Sequence, residues 1–158
     1  MPYAPFHDYL PELAERETRS ITLLPGNGFN LPPADYGLVE MFCDEPGCDC
    51  RRVIFMVVSS LTEKPEAYVA YGWESRKFYA TWLGDADPLI ISEMIGPNLN
   101  SMSPCSSHAP ALLEVVKEAA LNDPEYVARV KRHYALFREK IDGRMNRQQR
   151  RMSLKRRK

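Results

Sequence analysis

Long apolar runs are missing from this sequence. The longest uninterrupted one is Val53 to Val58, six residues, against the roughly 20 that a membrane-spanning helix needs. The opening Met1-Pro-Tyr-Ala-Pro-Phe-His-Asp carries neither a basic nor an apolar segment. No secretory signal is read there, and a cytoplasmic location without membrane contact is expected. There is no internal repeat, and no low-complexity segment precedes the last fifteen residues. Cysteine is scarce at four, and histidine at three. A secreted disulfide scaffold, a collagenous chain and a mostly disordered chain are therefore excluded. What is present is one domain's worth of chain: 158 residues, 44% apolar and 27% charged. A chain of this length buries roughly two-thirds of its unfolded surface, so it needs no metal or disulfide merely to fold.

Acidic residues are absent from the C-terminus. Arg144, Arg147, Arg150, Arg151, Lys155, Arg156, Arg157 and Lys158 are eight cations with no Asp or Glu among them. The other 143 residues carry 13 Lys and Arg against 21 Asp and Glu, a balance of −8 beneath a net charge of zero. A cationic tail on an acidic body suggests an anionic partner, nucleic acid above all. The plainer reading is a solvated, disordered chain end. No aromatic residue is interleaved for base stacking, and Met145, Met152 and Leu154 are too sparse for an amphipathic membrane helix.

Periodicity divides the body into strands first and helices last. A short helix is read over Asp8 to Glu17 with Asp8 as its N-cap, then a strand from Arg19 to Leu24. Tyr36 to Cys43 and Arg51 to Ser60 are the clearest strands, followed by Ala67 to Trp73. Arg76 to Leu83 reads as a helix between Ser75 as N-cap and Gly84 as terminator, and Leu89 to Ile95 as another after Asp87-Pro88. Two C-terminal helices follow. Ala109 to Leu121 carries a broad apolar stripe, and the second opens at Asp123-Pro124-Glu125 and ends at Gly143. His133 falls at the edge of its apolar face. The expectation is an α+β fold: an antiparallel sheet of about four strands covered by helices, in a single domain over 1–143, with a disordered basic tail over 144–158. Tyr68, Tyr71, Trp73, Phe78, Tyr79 and Trp82 crowd one stretch and are read as core between the sheet and a covering helix.

The cysteines carry what chemistry the sequence discloses. Cys43, Cys48 and Cys50 stand in Cys43-Asp-Glu-Pro-Gly-Cys-Asp-Cys, where Pro46-Gly47 favours a type II turn between two strands. A hairpin there sets Cys43 across from Cys48 and Cys50, which share one side of an extended segment. Three convergent thiols without a secretory signal point to a metal, with structural zinc the expected ion. The fourth ligand is expected from Pro104-Cys105-Ser-Ser-His108: Cys105 for preference, His108 as the alternative. Arg51 and Arg52 are candidates to offset the thiolate charge. The competing readings are four ordinary reduced cysteines and a [2Fe–2S] cluster, whose plant-type spacing is broken at Cys50.

Catalytic motifs are lacking. There is no H-E-x-x-H, no H-x-E of the zinc deaminases and no phosphate-binding G-x4-G-K-[ST]. CDEPGCDC followed by an apolar strand resembles bacterial domains of unassigned function, which implies no mechanism. The expected role is a small metal-binding adaptor module with an unidentified protein partner, or nucleic acid contacted through the tail. A redox or metal-dependent enzyme using Cys48 and Cys50 is the alternative.

Overall fold

A computed structural model describes residues 3–100 and 102–155, apart from the side chains of residues 144–150 and 153–155. The chain folds as α+β around one antiparallel sheet. Its three long strands are β3 (Ala34–Cys43), β4 (Arg52–Ser59) and β5 (Pro65–Gly72). Two short strands share one edge of β3. β2 (Ser20–Leu23) pairs with its beginning, and β1 (Tyr3–Pro5) pairs with its end in the register Tyr3↔Cys43. β6 (Asn98–Leu99) closes the other edge against β5. The sheet therefore has six strands rather than about four, the additions being too short to show a period in the sequence.

Strand alternation decides which residues meet which layer. Leu38 and Phe42 of β3, Val53, Phe55 and Val57 of β4, and Ala67 and Val69 of β5 point to the main core. That face is covered by α1 (Pro11–Glu17), α4 (Ala109–Val116) and the body of α5 (Pro124–Lys155), which contribute Ala14, Leu112, Val116, Val130 and Phe137. α4 runs on as a wider π turn over Lys117–Leu121. The opposite face is covered at one end only, by α2 (Arg76–Leu83) and α3 (Pro88–Ile95), whose Tyr79, Ile91 and Met94 form a second small core. The aromatic stretch is split between the two: Tyr71 and Trp73 pack on the main core, Phe78 and Trp82 on the small one.

The caps follow local chemistry. Ser75 accepts from the Phe78 amide, Asp87 from Leu89, and Asp123 from Glu125 and Tyr126. Asp8 is not an N-cap. It ends a short 3₁₀ turn over Phe6–Asp8, and α1 begins at Pro11, because proline restricts the residue before it to non-helical backbone. Gly143 does not end α5 either; the helix runs on to Lys155. One glycine inside a helix costs only about 1 kcal/mol, and the Arg, Met, Gln, Leu and Lys that follow are good helix formers. Arg156, Arg157 and Lys158 lie outside the described residues.

Gly72 is where α2 and α3 approach the sheet. A Cβ there would lie 2.4 Å from both the Met94 carbonyl oxygen and the Tyr79 hydroxyl. Gly72→Ala is expected to destabilise the protein by about 1–3 kcal/mol through overpacking against backbone, read as a lower urea midpoint. An unchanged midpoint would mean that the small core moves away freely.

Candidate metal centre

The cysteine cluster forms at one corner of the sheet, where β3 ends and β4 begins. Glu45 to Cys48 turns tightly, with the Cys48 amide donating to the Glu45 carbonyl at 3.2 Å and Gly47 at φ +75°, as Pro-Gly at the centre of a type II turn requires. Cys48 and Cys50 do not enter the next strand, contrary to expectation. β4 starts at Arg52, and Arg51 adopts a left-handed φ of 49°. Such a conformation costs a non-glycine residue on the order of 1 kcal/mol and needs outside support. Two tyrosines supply it: the Arg51 amide donates to the Tyr134 hydroxyl at 3.2 Å, and the Tyr79 hydroxyl donates to the Arg51 carbonyl at 2.9 Å. The Arg51 guanidinium pairs with Asp49 at 2.9 Å and Glu74 at 3.2 Å, and lies 4.5 Å over the Phe78 ring.

Held this way, the sulfurs of Cys43, Cys48 and Cys50 all lie within 4.8 Å of one another. Cys43 and Cys50 are buried and Cys48 is half-buried. Burial pushes all three thiols above their ordinary range, and neighbouring sulfur charge adds to it for each. Two arginines oppose this effect, Arg138 beside Cys43 and Arg52 beside Cys50. Tyr3, placed next to Cys43 by the β1–β3 register, shares a side-chain hydrogen bond with Cys50. Arg138 reaches across from α5. Its Nη1 donates to the Cys43 carbonyl at 2.6 Å, and its Nη2 donates to the Glu45 carbonyl and to Asp142 at 2.9 Å each. Asp142 in turn accepts from the Gly47 amide at 3.0 Å. Three thiols so placed can hold a metal ion.

Cys105 and His108 are not part of this cluster. Their segment is tied to the start of β5 by the Ser106 amide, which donates to the Glu66 carbonyl at 2.9 Å. Arg52, beside the thiols, pairs instead with Gly72 at the end of β5. Six strand residues separate those points, roughly 20 Å. Neither expected fourth ligand reaches the centre, because the antiparallel register carries the 104–108 segment to the far end of the sheet. There it closes over Glu66, whose carboxyl is held below its ordinary value by Ser106 and Thr62 despite burial. Cys105 is exposed. Of the basic residues, Arg151 is exposed on the helical extension. The side chains of Arg144, Arg147, Arg150 and Lys155 lie outside the described residues.

Tyr3, Tyr79, Tyr134 and Arg138 have no signature in the sequence, since three separate elements bring them to the cysteines. A second polar cluster left a trace. In β3 an acid, Glu40, interrupts the core-facing series Tyr36, Leu38, Phe42. In α5 His133 stands in the apolar stripe. An acid and a histidine on facing core positions predict each other, and His133 Nδ1 lies 2.9 Å from Glu40.

No protein-family model, curated protein or solved structure matches this chain.

Proposed function

We propose that Cys43, Cys48 and Cys50 hold one zinc ion, that the ion is structural, and that the protein works as a small binding module rather than as an enzyme. The observation carrying this reading is the convergence of three sulfurs within 4.8 Å. Thiolates bound at 2.3 Å to a tetrahedral zinc sit about 3.8 Å apart, a small contraction for a loop whose Cys48 is half-buried. Three protein ligands leave the fourth position to water or to a donor from a partner. A zinc ion with three thiolates carries a formal charge of −1, and Arg138 and Arg52 stand beside it to offset that charge. Thiolates donate strongly and lower the ion's Lewis acidity, which favours a structural over a hydrolytic role. The ion would lock the loop that joins β3 to β4 onto the end of β3.

The expected result is one zinc per chain in protein purified without chelator, measured by inductively coupled plasma mass spectrometry, with no visible absorbance. Cys50→Ser should lose the ion and Cys105→Ser should keep it. Chelation should lower the melting temperature of the wild type and leave Cys50→Ser unchanged. Full zinc content in Cys50→Ser would overturn the assignment, and iron with a visible band would replace it with the cluster reading.

A further inference from the structure

On the sheet face away from the main core, between α3 and β6, lies a cavity of about 660 Å³. That size falls among sites for small organic ligands, which span roughly 300–1,000 Å³. Ile54 and Ala70 belong to its sheet side, and Met94, Ile90 and Leu99 are among its other apolar lining residues. Met102, also part of the lining, is 90% exposed. These apolar side chains are matched with one cation, Arg52. Its Nε donates to the Met94 carbonyl at 3.0 Å, and its Nη1 makes a long contact of 3.4 Å to the Tyr3 hydroxyl. Among the described residues no carboxylate pairs with it, whereas Arg19, Arg51, Arg132 and Arg138 each have one. Its Nη2 therefore remains available to an anion. Asn100, on the same wall, uses its side-chain oxygen for the Met102 amide. Its amide NH₂ is left to donate.

We propose that this cavity binds a small organic monoanion, a carboxylate carrying an apolar body, with Arg52 as its anchor. The guanidinium fork matches a carboxylate in geometry and charge. The body would lie along Ile54, Ile90 and Met94, with Met102 adapting over it, since unbranched methionine shapes itself to its contact. The exposed carboxylate of Glu93, also in the lining, disfavours a second negative charge and limits the ligand to one.

The probe is octanoate, titrated calorimetrically into the full-length protein, with 1-octanol as the uncharged control. Octanoate should bind, and octanol should bind at least about tenfold more weakly, as loss of a charge-assisted hydrogen bond implies. Arg52→Met should weaken octanoate by a similar factor and leave octanol unchanged. Because Arg52 also touches Tyr3 and Met94, a second variant avoids any question of folding. Met102→Asp alters a side chain that is almost wholly exposed and should weaken octanoate several-fold by like-charge repulsion while sparing octanol. No octanoate binding, equal binding of octanol, or binding unaffected by both substitutions would each overturn the proposal.

Discussion

His133→Ala is expected to destabilise the protein by about 3–5 kcal/mol, the range for breaking a buried ion pair by removing one partner. His133 is 0% exposed and Glu40 3%. The imidazole lies between two carboxylates, Nδ1 at 2.9 Å from Glu40 and Nε2 at 3.0 Å from Glu17, and Phe6 stacks on its ring at 4.5 Å. Arg132 caps the outer side of Glu17. The group thus binds α5 to β3 and to the end of α1. Without His133, Glu40 keeps no hydrogen-bond partner among the described residues, and the Phe6 ring faces a void. Urea denaturation of His133→Ala, Glu40→Ala and the double variant should show strong coupling, with the double variant less damaged than the two single losses together imply. Additive losses would mean that the pair does not interact.

The same cluster fixes a pH dependence. Burial alone would lower the His133 pKa, but the hydrogen bonds and charges of Glu40 and Glu17 outweigh it and raise it above the ordinary 6.5. A raised histidine pKa contributes stability that is complete below pH 6.5 and is lost as pH rises through the folded-state value. Glu17 behaves oppositely. His133 and Arg132 lower its pKa below 4.5, so its contribution is present above pH 4.5 and is lost on acidification through its folded value. The contribution of the cluster is therefore greatest between pH 4.5 and 6.5. On deprotonation one ring nitrogen can still donate to Glu40, while the other turns a lone pair toward Glu17. The stability gap between wild type and His133→Ala should narrow as pH rises above 6.5, and a constant gap from pH 5 to 9 would contradict this account.

Arg138→Ala carries the second large effect, about 2–4 kcal/mol, from the loss of charge-assisted hydrogen bonds made by a buried cation. Arg138 is 8% exposed, and its bonds to the Cys43 and Glu45 carbonyls join the Tyr134 and Asp142 contacts through which α5 holds the cysteine corner. Its effect should be concentrated there. Amide hydrogen exchange should accelerate over residues 44–51, and the buried Cys43 thiol should react faster with a thiol reagent in metal-free protein. Arg138→Lys should recover only part of the loss, because an ammonium group cannot span both carbonyls as the planar fork does. Uniform destabilisation with no local change in exchange would show that Arg138 acts only through general packing.

Residue order was enough for the parts that rest on short-range physics. The alternation of β3, the apolar run of β4, the caps at Ser75, Asp87 and Asp123, and the turn at Pro46-Gly47 are all chemistry within a few residues. Cys43, Cys48 and Cys50 meet for the same reason: closing a loop of eight residues costs little entropy. Contacts between residues far apart in the chain were set by how the layers pack. Antiparallel register sent Cys105 and His108 to the opposite end of the sheet, although their residue types suited the metal as well as any. Helix packing brought Tyr79, Tyr134 and Arg138 to the cysteines and His133 to Glu40, across 28 to 95 residues of chain. The packing of α3 and β6 on the sheet formed a cavity beside Arg52. Local periodicity specifies which face a side chain takes, but which faces then meet is settled by burying the most apolar surface at once, and that choice belongs to the whole chain.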